Sequence, residues 1–271
     1  MRTFLPALLL LPGCMQPTGP GSPCEESATR VRCEHQTLRL DLGDATRDVH
    51  YQAPAGPAPE AGWPAVIVFQ GALFPASLNW FAVRGEPYGG FHQAQLTARL
   101  LDAGYLVLTP EAAGEGLTCW DTNLPRWSQD WAASPDAALM DALLDGLAQD
   151  TFGPVDLDAL YAVGISSGGY MASRMAISYP GMFQRLAIAS ASYATCAGVL
   201  CRRPDDLPPD HPSTLFLHGG LDAVVPIWTM FAYRDALEEA GVEVASEVRP
   251  LAGHGWTKDA PEAVVGWLDG G

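Results

Sequence analysis

Apolar residues follow two patterns along this chain: short runs typical of buried strands, and longer stretches in which they recur at helical spacing. The predicted strands are Thr37 to Leu42, Asp48 to Ala53, Ala65 to Phe69, Tyr105 to Thr109, Leu160 to Val163, Leu186 to Ala189, Thr214 to His218 and Val242 to Val248. The predicted helices are Phe91 to Ala103, Pro135 to Thr151, Met171 to Tyr179, Tyr233 to Ala240 and Pro261 to Leu268. The first two strands are expected to form an outer antiparallel pair. Alternation of the remaining elements predicts an α/β fold, with a mostly parallel central sheet and helices on both faces.

The segment Tyr161 to Tyr170, YAVGISSGGY, carries the most informative motif. Its apolar run ends in a turn where Gly164 and Gly168 stand two residues either side of Ser166, as in a nucleophile elbow. Glycine is needed at both places because a Cβ there would collide with the adjoining strand or helix. Centring the motif on Ser167 would put an isoleucine where glycine is required, so we predict that Ser166 is the nucleophile. A plain glycine-rich strand-to-helix turn is the alternative.

A candidate acid and a candidate histidine follow in the order that an α/β-hydrolase fold requires. Asp222 comes just after the seventh predicted strand, and His254 is the only histidine beyond it. We expect His254 to take the proton of Ser166 as general base, and Asp222 to orient the His254 ring. Read separately, Asp222 could be a turn former and His254 an ordinary loop residue. Three residues in the right order on three strand-end loops favour a catalytic triad.

The same fold predicts an oxyanion hole directly after the first long central strand. That strand runs into Gln70 and Gly71, where many α/β-hydrolases have histidine and glycine. We expect the backbone N–H groups of Ala72 and Ser167 to be the two donors, each worth about 3 kcal/mol in the barrier. For this segment taken alone, an ordinary strand-to-loop glycine is the alternative.

The charge balance narrows the class of partner. The 271 residues include 31 acidic and 15 basic side chains, and the net charge of −16 argues against nucleic-acid binding and against electrostatic docking to anionic membranes. Only 17% of the residues are charged, which suits an exported protein that acts on an uncharged substrate. The length accommodates one large α/β catalytic domain, which we expect over residues 36 to 271.

The first fourteen residues read as a signal peptide, because one arginine precedes an apolar run too short to span a bilayer. The sequence Leu11 to Cys14 resembles a bacterial lipobox, in which the cysteine becomes lipidated, although Pro12 departs from the small or aliphatic residue usual there. We therefore expect an exported protein, extracellular or held at the outer membrane by a lipid anchor at Cys14. Residues 15 to 35, rich in small residues, proline and glutamate, predict a flexible tether.

Export permits disulfides, and five cysteines remain when Cys14 is set aside. Cys24 with Cys33 would fix the amino-terminal arm, whereas Cys119 could join either Cys196 or Cys201 across two loops near the site. A cysteine hydrolase or a metal site is disfavoured, because no cysteine lies in an elbow and no paired Cys-x-x-Cys is present.

Two long stretches follow neither pattern, Glu111 to Ser134 and Ser192 to Pro212. Both come after the carboxyl ends of strands, where open α/β folds place ligands, so we expect them to wall the site. Aromatic residues near a triad would suit an aliphatic or aromatic acyl group or a polymer surface, and simple packing of the loops is the alternative. The candidate aromatic residues are Trp80, Phe81, Trp120, Trp127 and Trp131.

The longest stretch with a familiar sequence is GISSGGYMASRMAISYPG, from Gly164 to Gly181. Shorter familiar segments are VFQG at Val68 to Gly71, CW at Cys119 and Trp120, ASYATC at Ala191 to Cys196, HGGLDAVVP at His218 to Pro226 and GHGW at Gly253 to Trp256. From about Gln36 onward, the chain resembles the extracellular medium-chain-length polyhydroxyalkanoate depolymerases. These belong to the wider polyhydroxyalkanoate depolymerase and feruloyl esterase group of α/β-hydrolases.

The resemblance implies a triad of Ser166, Asp222 and His254 and a substrate that is a water-insoluble polyester of 3-hydroxy fatty acids. The implied reaction is hydrolysis of backbone esters through an acyl-enzyme, without a cofactor or a metal. A feruloyl, acetyl or general carboxylesterase acting on small or polysaccharide-linked esters is the nearest alternative. A non-catalytic surface lipoprotein that keeps the fold for binding is a remote one.

Overall fold

The computed structural model describes residues 15–113, 118–128, 130–196, 201, 203–205 and 207–270. The predicted signal peptide and the lipobox at Leu11 to Cys14 lie outside the described residues. So do parts of the two irregular stretches that the sequence places beside the site.

An eight-stranded sheet forms the centre of the protein, in the order β12-β11-β10-β9-β6-β8-β5-β4. Its neighbours from β12 to β8 pair in parallel, whereas β8, β5 and β4 pair antiparallel, which confirms the predicted outer pair. The strands are β1 Gln16–Pro17, β2 Cys24–Ser27, β3 Arg30–Cys33, β4 Gln36–Asp41, β5 Thr46–Gln52, β6 Trp63–Phe69, β7 Phe81–Val83, β8 Leu106–Pro110, β9 Val155–Ile165, β10 Arg185–Ala189, β11 Ser213–Gly219 and β12 Val244–Arg249. Parallel strands of this kind bring the loops at their carboxyl ends to one edge of the sheet.

Helices cover both faces of this sheet. They are α1 Gly90–Asp102, α2 Pro125–Ser128, α3 Pro135–Ala148, α4 Ser167–Ser178, α5 Ile227–Glu239 and α6 Ala260–Leu268, with 3₁₀ turns at Ala76–Asn79, Pro87–Gly89, Asp121–Asn123 and Trp131–Ala133. No helix in the described ranges is long and apolar enough to cross a bilayer.

The central strand β6 shows how the two cores arise. Side chains of a strand point alternately to opposite faces. Ile67 therefore packs into the core under α3, α4 and α5, while its neighbours Val66 and Val68 pack into the core under α1 and α6. All three are fully buried, which explains why this strand appears in the sequence as an unbroken apolar run rather than an alternating one.

The amino-terminal arm corrects the predicted tether. Residues 15–35 carry β1, β2 and β3, which form a second sheet with β7 in the order β1-β2-β3-β7. A disulfide joins Cys24 to Cys33, opposite residues of the β2–β3 hairpin, and both cysteines are buried with Val31. The arm contains too few apolar residues to show a long pattern. Those few are nonetheless enough to pack against α1 once a disulfide closes the hairpin.

Candidate active site

Ser166 lies in a strained backbone turn between β9 and α4. Its φ of 54° and ψ of −124° are sparsely populated by residues other than glycine. The turn is tight enough that a Cβ on Gly164 would come within 2.1 Å of the Gly168 carbonyl oxygen, and one on Gly168 within 2.1 Å of the Phe69 carbonyl oxygen. The two glycines singled out by the sequence are thus required by close backbone approach, and Ser166 projects at the carboxyl edge of the sheet.

Asp222 lies on the loop after β11, with its side chain fully buried. Its Oδ1 accepts the backbone N–H groups of Val224 at 2.9 Å and Val225 at 2.8 Å, and its Oδ2 accepts from His254 Nδ1 at 2.8 Å. Burial opposes ionisation, but these hydrogen bonds and the neighbouring histidine hold the pKa of Asp222 below its usual value. The group is therefore an anion poised to orient an imidazole ring.

His254 follows β12 and is hydrogen-bonded to Asp222. The bond from Nδ1 to Asp222 fixes the tautomer with a proton on Nδ1, which leaves Nε2 free to accept one. His254 lines the same cleft as Ser166. The ring of Tyr88 meets it edge-on, with centroids 5.5 Å apart. The structure therefore brings the three predicted triad residues to one edge of the sheet.

His218, at the end of β11, is a second histidine beside the acid that the sequence reasoning missed. Its Nε2 donates to the Val225 carbonyl at 2.9 Å and lies 3.5 Å from Asp222 Oδ2. Burial lowers the pKa of His218, so this ring is neutral and supports the acid loop without adding charge. Its place in the HGGLD segment, four residues before the acid, was the available signal.

The two expected oxyanion donors lie near Ser166. Ala72 lines both clefts that contain Ser166. Among the described residues its N–H has no hydrogen-bond acceptor, whereas the next N–H, from Leu73, donates to the Thr118 carbonyl at 2.8 Å. Ser167 is the first residue of α4, where an N–H lacks an acceptor within the helix. Both N–H groups are thus available to a ligand.

The Ser167 side chain has a separate structural task. Its Oγ donates to Asn123 Oδ1 at 2.7 Å and accepts from the Trp120 N–H at 3.0 Å. Trp120 Nε1 in turn donates to the Gln70 carbonyl at 2.9 Å, so the loop 118–124 joins the two segments that carry the candidate oxyanion donors. With its amide oriented to satisfy its neighbours, Gln70 also donates to the Pro110 carbonyl at 3.0 Å. Gln70, where many α/β-hydrolases have histidine, is therefore buried and has a structural role.

Two clefts meet at Ser166. The first, towards His254, is lined mainly by apolar residues of the segment between β6 and α1, among them Leu73, Phe74 and Tyr88. The second, on the Ser167 side, is lined by Asn123 and Thr229 together with cysteine and valine side chains. Ser166 is therefore accessible from two directions.

The aromatic residues expected beside the triad lie elsewhere. Trp80 and Trp120 are fully buried in the two cores, and Trp80 Nε1 donates to Thr109 Oγ1 at 2.7 Å. Trp131 packs against the same core as Trp120, and Phe81 lies on β7 of the small sheet. None of these, nor Trp127, is among the residues that line either cleft at Ser166. Packing, the alternative explanation, accounts for Trp80, Trp120 and Trp131, whereas Phe81 is exposed on β7.

The irregular stretches contribute other residues to the second cleft. The predicted disulfide between Cys119 and either Cys196 or Cys201 is wrong. Cys119 lines that cleft as a free thiol, while Cys196 is bonded to Cys201, five residues away. Burial raises the pKa of Cys119, as do nearby carboxylates, so this thiol is not an activated nucleophile. Because Cys196 pairs with Cys201, Cys119 has no partner cysteine among the described residues. The spacing of cysteines in the sequence could not predict this pairing.

One characterised relative matches nearly the whole chain. It is a poly(3-hydroxyoctanoate) depolymerase of Pseudomonas fluorescens, 43% identical over 277 aligned positions that cover 99% of this chain and 98% of the relative. No protein-family model matches the chain.

Solved structures are similar in fold at low sequence identity. The carboxylesterase of Bacillus cereus superposes with a TM-score of 0.61 at 16% identity, covering 84% of this chain and 96% of its own. A ferulic acid esterase gives a TM-score of 0.61 at 17% identity, covering 87% of this chain and 95% of its own. These likenesses confirm the predicted α/β-hydrolase fold.

Proposed function

The chain belongs to the polyhydroxyalkanoate depolymerase family and is a carboxylic ester hydrolase, and on that premise we propose that it cleaves the backbone esters of medium-chain-length poly(3-hydroxyalkanoates) with Ser166. The observation that carries the assignment to Ser166 is the His254 Nδ1–Asp222 Oδ2 hydrogen bond of 2.8 Å beside a strained elbow serine. A relative named for an octanoate polyester supports the choice of substrate.

In the first half of the proposed reaction, Ser166 Oγ attacks the ester carbonyl carbon while His254 Nε2 takes the hydroxyl proton. The negative charge that develops on the carbonyl oxygen is stabilised by the N–H groups of Ala72 and Ser167. When the tetrahedral intermediate collapses, the bond to the alcohol oxygen breaks and His254 returns the proton to that oxygen. The acyl group remains on Ser166, and the shortened chain leaves with a free hydroxyl.

In the second half, water replaces the alcohol. His254 takes a proton from the water, whose oxygen attacks the acyl-enzyme carbonyl, and the bond to Ser166 breaks as the proton passes to Oγ. Asp222 remains ionised throughout and stabilises the imidazolium. The scheme needs no metal or cofactor, because attack, proton transfer and charge stabilisation are all supplied by these residues.

The first cleft supports an aliphatic substrate. Its walls include Leu73, Phe74 and Leu78, which offer apolar contact to an alkyl side chain of medium length. Besides Ser166 and His254, the polar side chains that line this cleft are Glu86, Gln93 and the Tyr88 phenol.

The experiment that tests this function compares turbidity loss of a poly(3-hydroxyoctanoate) latex with that of a poly(3-hydroxybutyrate) latex. We expect the octanoate latex alone to clear, and the Ser166→Ala protein to clear neither. Hydrolysis of a soluble p-nitrophenyl ester without clearing of either latex would instead identify a small-substrate carboxylesterase, the nearest alternative.

We further propose that the enzyme works outside the cytoplasm. Two disulfides, Cys24–Cys33 and Cys196–Cys201, support export, because thiols stay reduced in the cytosol. The predicted signal peptide and a lipid anchor at Cys14 belong to the same proposal. Incorporation of labelled palmitate into the parent protein, and its loss in Cys14→Ser, would establish the anchor, whereas an unlabelled parent would indicate free secretion.

A further inference from the structure

Large apolar side chains at the surface are unevenly distributed. Nine of them are exposed among the described residues; six lie on loops that carry the candidate active site, and Trp228 lies in the first turn of α5 directly after one of these loops. Monomeric soluble proteins rarely leave contiguous apolar patches exposed unless the patch contacts something. The position of these seven side chains therefore calls for a functional explanation.

Four of the seven lie on the loops of the acid and the histidine or, in one case, in the helix that follows the acid loop. Leu221 and Val224 flank Asp222 in sequence, and Trp228 stands in the first turn of α5, beside Thr229 of the second cleft. Leu251 precedes His254 by three residues, and the hydrogen bond from the Leu221 N–H to the Ala252 carbonyl joins the two loops.

The other three lie on the oxyanion and pocket segments. Leu73 follows the oxyanion residue Ala72, Tyr88 packs its ring on His254, and Leu124 follows Asn123, whose side chain binds Ser167. We call the seven residues the apolar rim. Leu73, Tyr88 and Val224 line the clefts at Ser166, and the other four lie on segments that carry the candidate site.

The two remaining exposed side chains lie on strands and line neither cleft. Phe81 lies on β7 of the small sheet, paired with Arg32 of β3. Leu157 lies near the start of β9, at the opposite end of that strand from Ser166. Exposure of these two is similar to that of Trp228, so they provide natural controls: 47% for Phe81, 45% for Leu157 and 50% for Trp228.

We propose that the apolar rim is the face by which the enzyme adsorbs to a water-insoluble, uncharged polyester, so that adsorption itself presents the chain to Ser166. This inference rests on the proposed function and adds how the solid substrate is held. Burial of such side chains against an apolar solid is favourable in proportion to the area removed from water.

The chemistry of the occupant follows from charge and position. With a net charge of −16, the protein is repelled by anionic lipid surfaces. An uncharged polyester exerts no such repulsion. Three rim residues, Leu73, Tyr88 and Val224, also line the clefts at Ser166, so an occupant of the rim must be the substrate or something that blocks it. An uncharged ester solid satisfies both conditions.

Paired aspartate substitutions test the rim. The test pair is Trp228→Asp with Leu251→Asp, neither of which lines a cleft, and the control pair is Phe81→Asp with Leu157→Asp. Each pair adds two negative charges to exposed apolar positions, so charge and hydrophobicity are matched. Adsorption to poly(3-hydroxyoctanoate) particles is measured by sedimentation in the Ser166→Ala protein, which cannot erode them.

We expect the test pair to weaken adsorption at least about tenfold, since each 1.4 kcal/mol is tenfold in binding. Clearing of the latex by enzyme with Ser166 intact should fall in parallel. The kcat/KM for p-nitrophenyl octanoate should stay within about twofold of the parent, as for ordinary surface substitutions. The control pair should leave all three quantities unchanged. Leu251→Asp alone, at a side chain 87% exposed, repeats the test where folding is not at risk.

Unchanged adsorption of the test pair, or an equal loss in both pairs, would overturn the proposal. So would preferential binding of the Ser166→Ala protein to vesicles of phosphatidylglycerol. Failure of the proposed function is a separate result. Hydrolysis of the soluble ester without clearing of latex would contradict the proposed substrate, whereas the adsorption of the test and control pairs still tests the rim.

Discussion

At the scale of single residues, the candidate catalytic residues are held in place by neighbouring groups. Asp222 uses both carboxylate oxygens, one for the backbone of its own loop and one for His254. His218 holds the same loop by a hydrogen bond to the Val225 carbonyl. In a site preorganised in this way, a small displacement of a reacting group lowers the rate by a large factor.

The candidate triad could be predicted from the sequence because its requirements are local. The glycines around Ser166 and the chain order of Asp222 and His254 need no tertiary information. Asn123 could not be identified in this way, since its contact with Ser167 joins segments that are distant in sequence, whereas His218 had its place in the HGGLD segment as a signal.

Ser167→Ala tests the tie between the oxyanion segments. The backbone N–H of residue 167 remains, but Asn123 and the Trp120 N–H lose their partner. An unsatisfied buried hydrogen bond costs about 1–3 kcal/mol, so we expect kcat to fall roughly tenfold or more with little change in KM. Soluble-ester kinetics measure this. The partly buried Ser213→Ala, on β11, serves as control, and an unchanged kcat in Ser167→Ala would contradict the role given to the side chain.

At the scale of elements, periodicity located the main sheet and its helices but not all of their ends. Helix α5 begins at Ile227, six residues before the predicted start, directly after Pro226, which can stand at a helix entry but not within one. The strands of the amino-terminal arm have two to four residues each and were missed. Such short strands depend on pairing and on the Cys24–Cys33 bond more than on a local pattern.

The elbow predicts contrasting effects for two glycine substitutions. Gly164→Ala would place a Cβ within 2.1 Å of a backbone oxygen of the elbow helix, so we expect destabilisation by more than about 3 kcal/mol and loss of activity. Gly266→Ala, at an exposed interior position of α6 with free space around it, should stabilise by about 0.5–1 kcal/mol. Urea denaturation measures both, and equal effects would contradict the tight turn.

At the scale of the whole molecule, a buried acidic pair links the loop 118–124 to α3. The Asp121 N–H donates to Asp136 Oδ2 at 2.7 Å, and the Asp136 N–H donates to Asp121 Oδ2 at 3.0 Å. Burial and the charge of Asp121 raise the pKa of Asp136 to about 7. The sequence alone does not reveal this pair, because the two aspartates lie fifteen positions apart and on different elements.

The pair predicts a dependence of stability on pH. Between pH 4 and 7 folded Asp136 holds a proton that the unfolded chain releases, so its ionisation lowers the free energy of unfolding as pH rises. Asp136→Asn keeps an acceptor for the Asp121 N–H but cannot ionise, so its free energy of unfolding does not fall in this way as pH rises. Relative to the parent, we expect its stability to gain at least about 1 kcal/mol between pH 4.5 and 7.5. Denaturation at both pH values measures the gain, with the exposed Asp145→Asn on the same helix as control, and a pH-independent difference would contradict it.

Catalysis is assigned to one serine, Ser166, in an ester hydrolase whose elbow contains two. The most direct test treats the enzyme with a fluorophosphonate, locates the adduct by peptide mass spectrometry, and follows the activities on soluble ester and on octanoate latex together. We predict one adduct, on Ser166, with both activities lost in proportion to labelling. Complete labelling of Ser166 with latex clearing retained, or an adduct on Ser167 instead, would contradict the account.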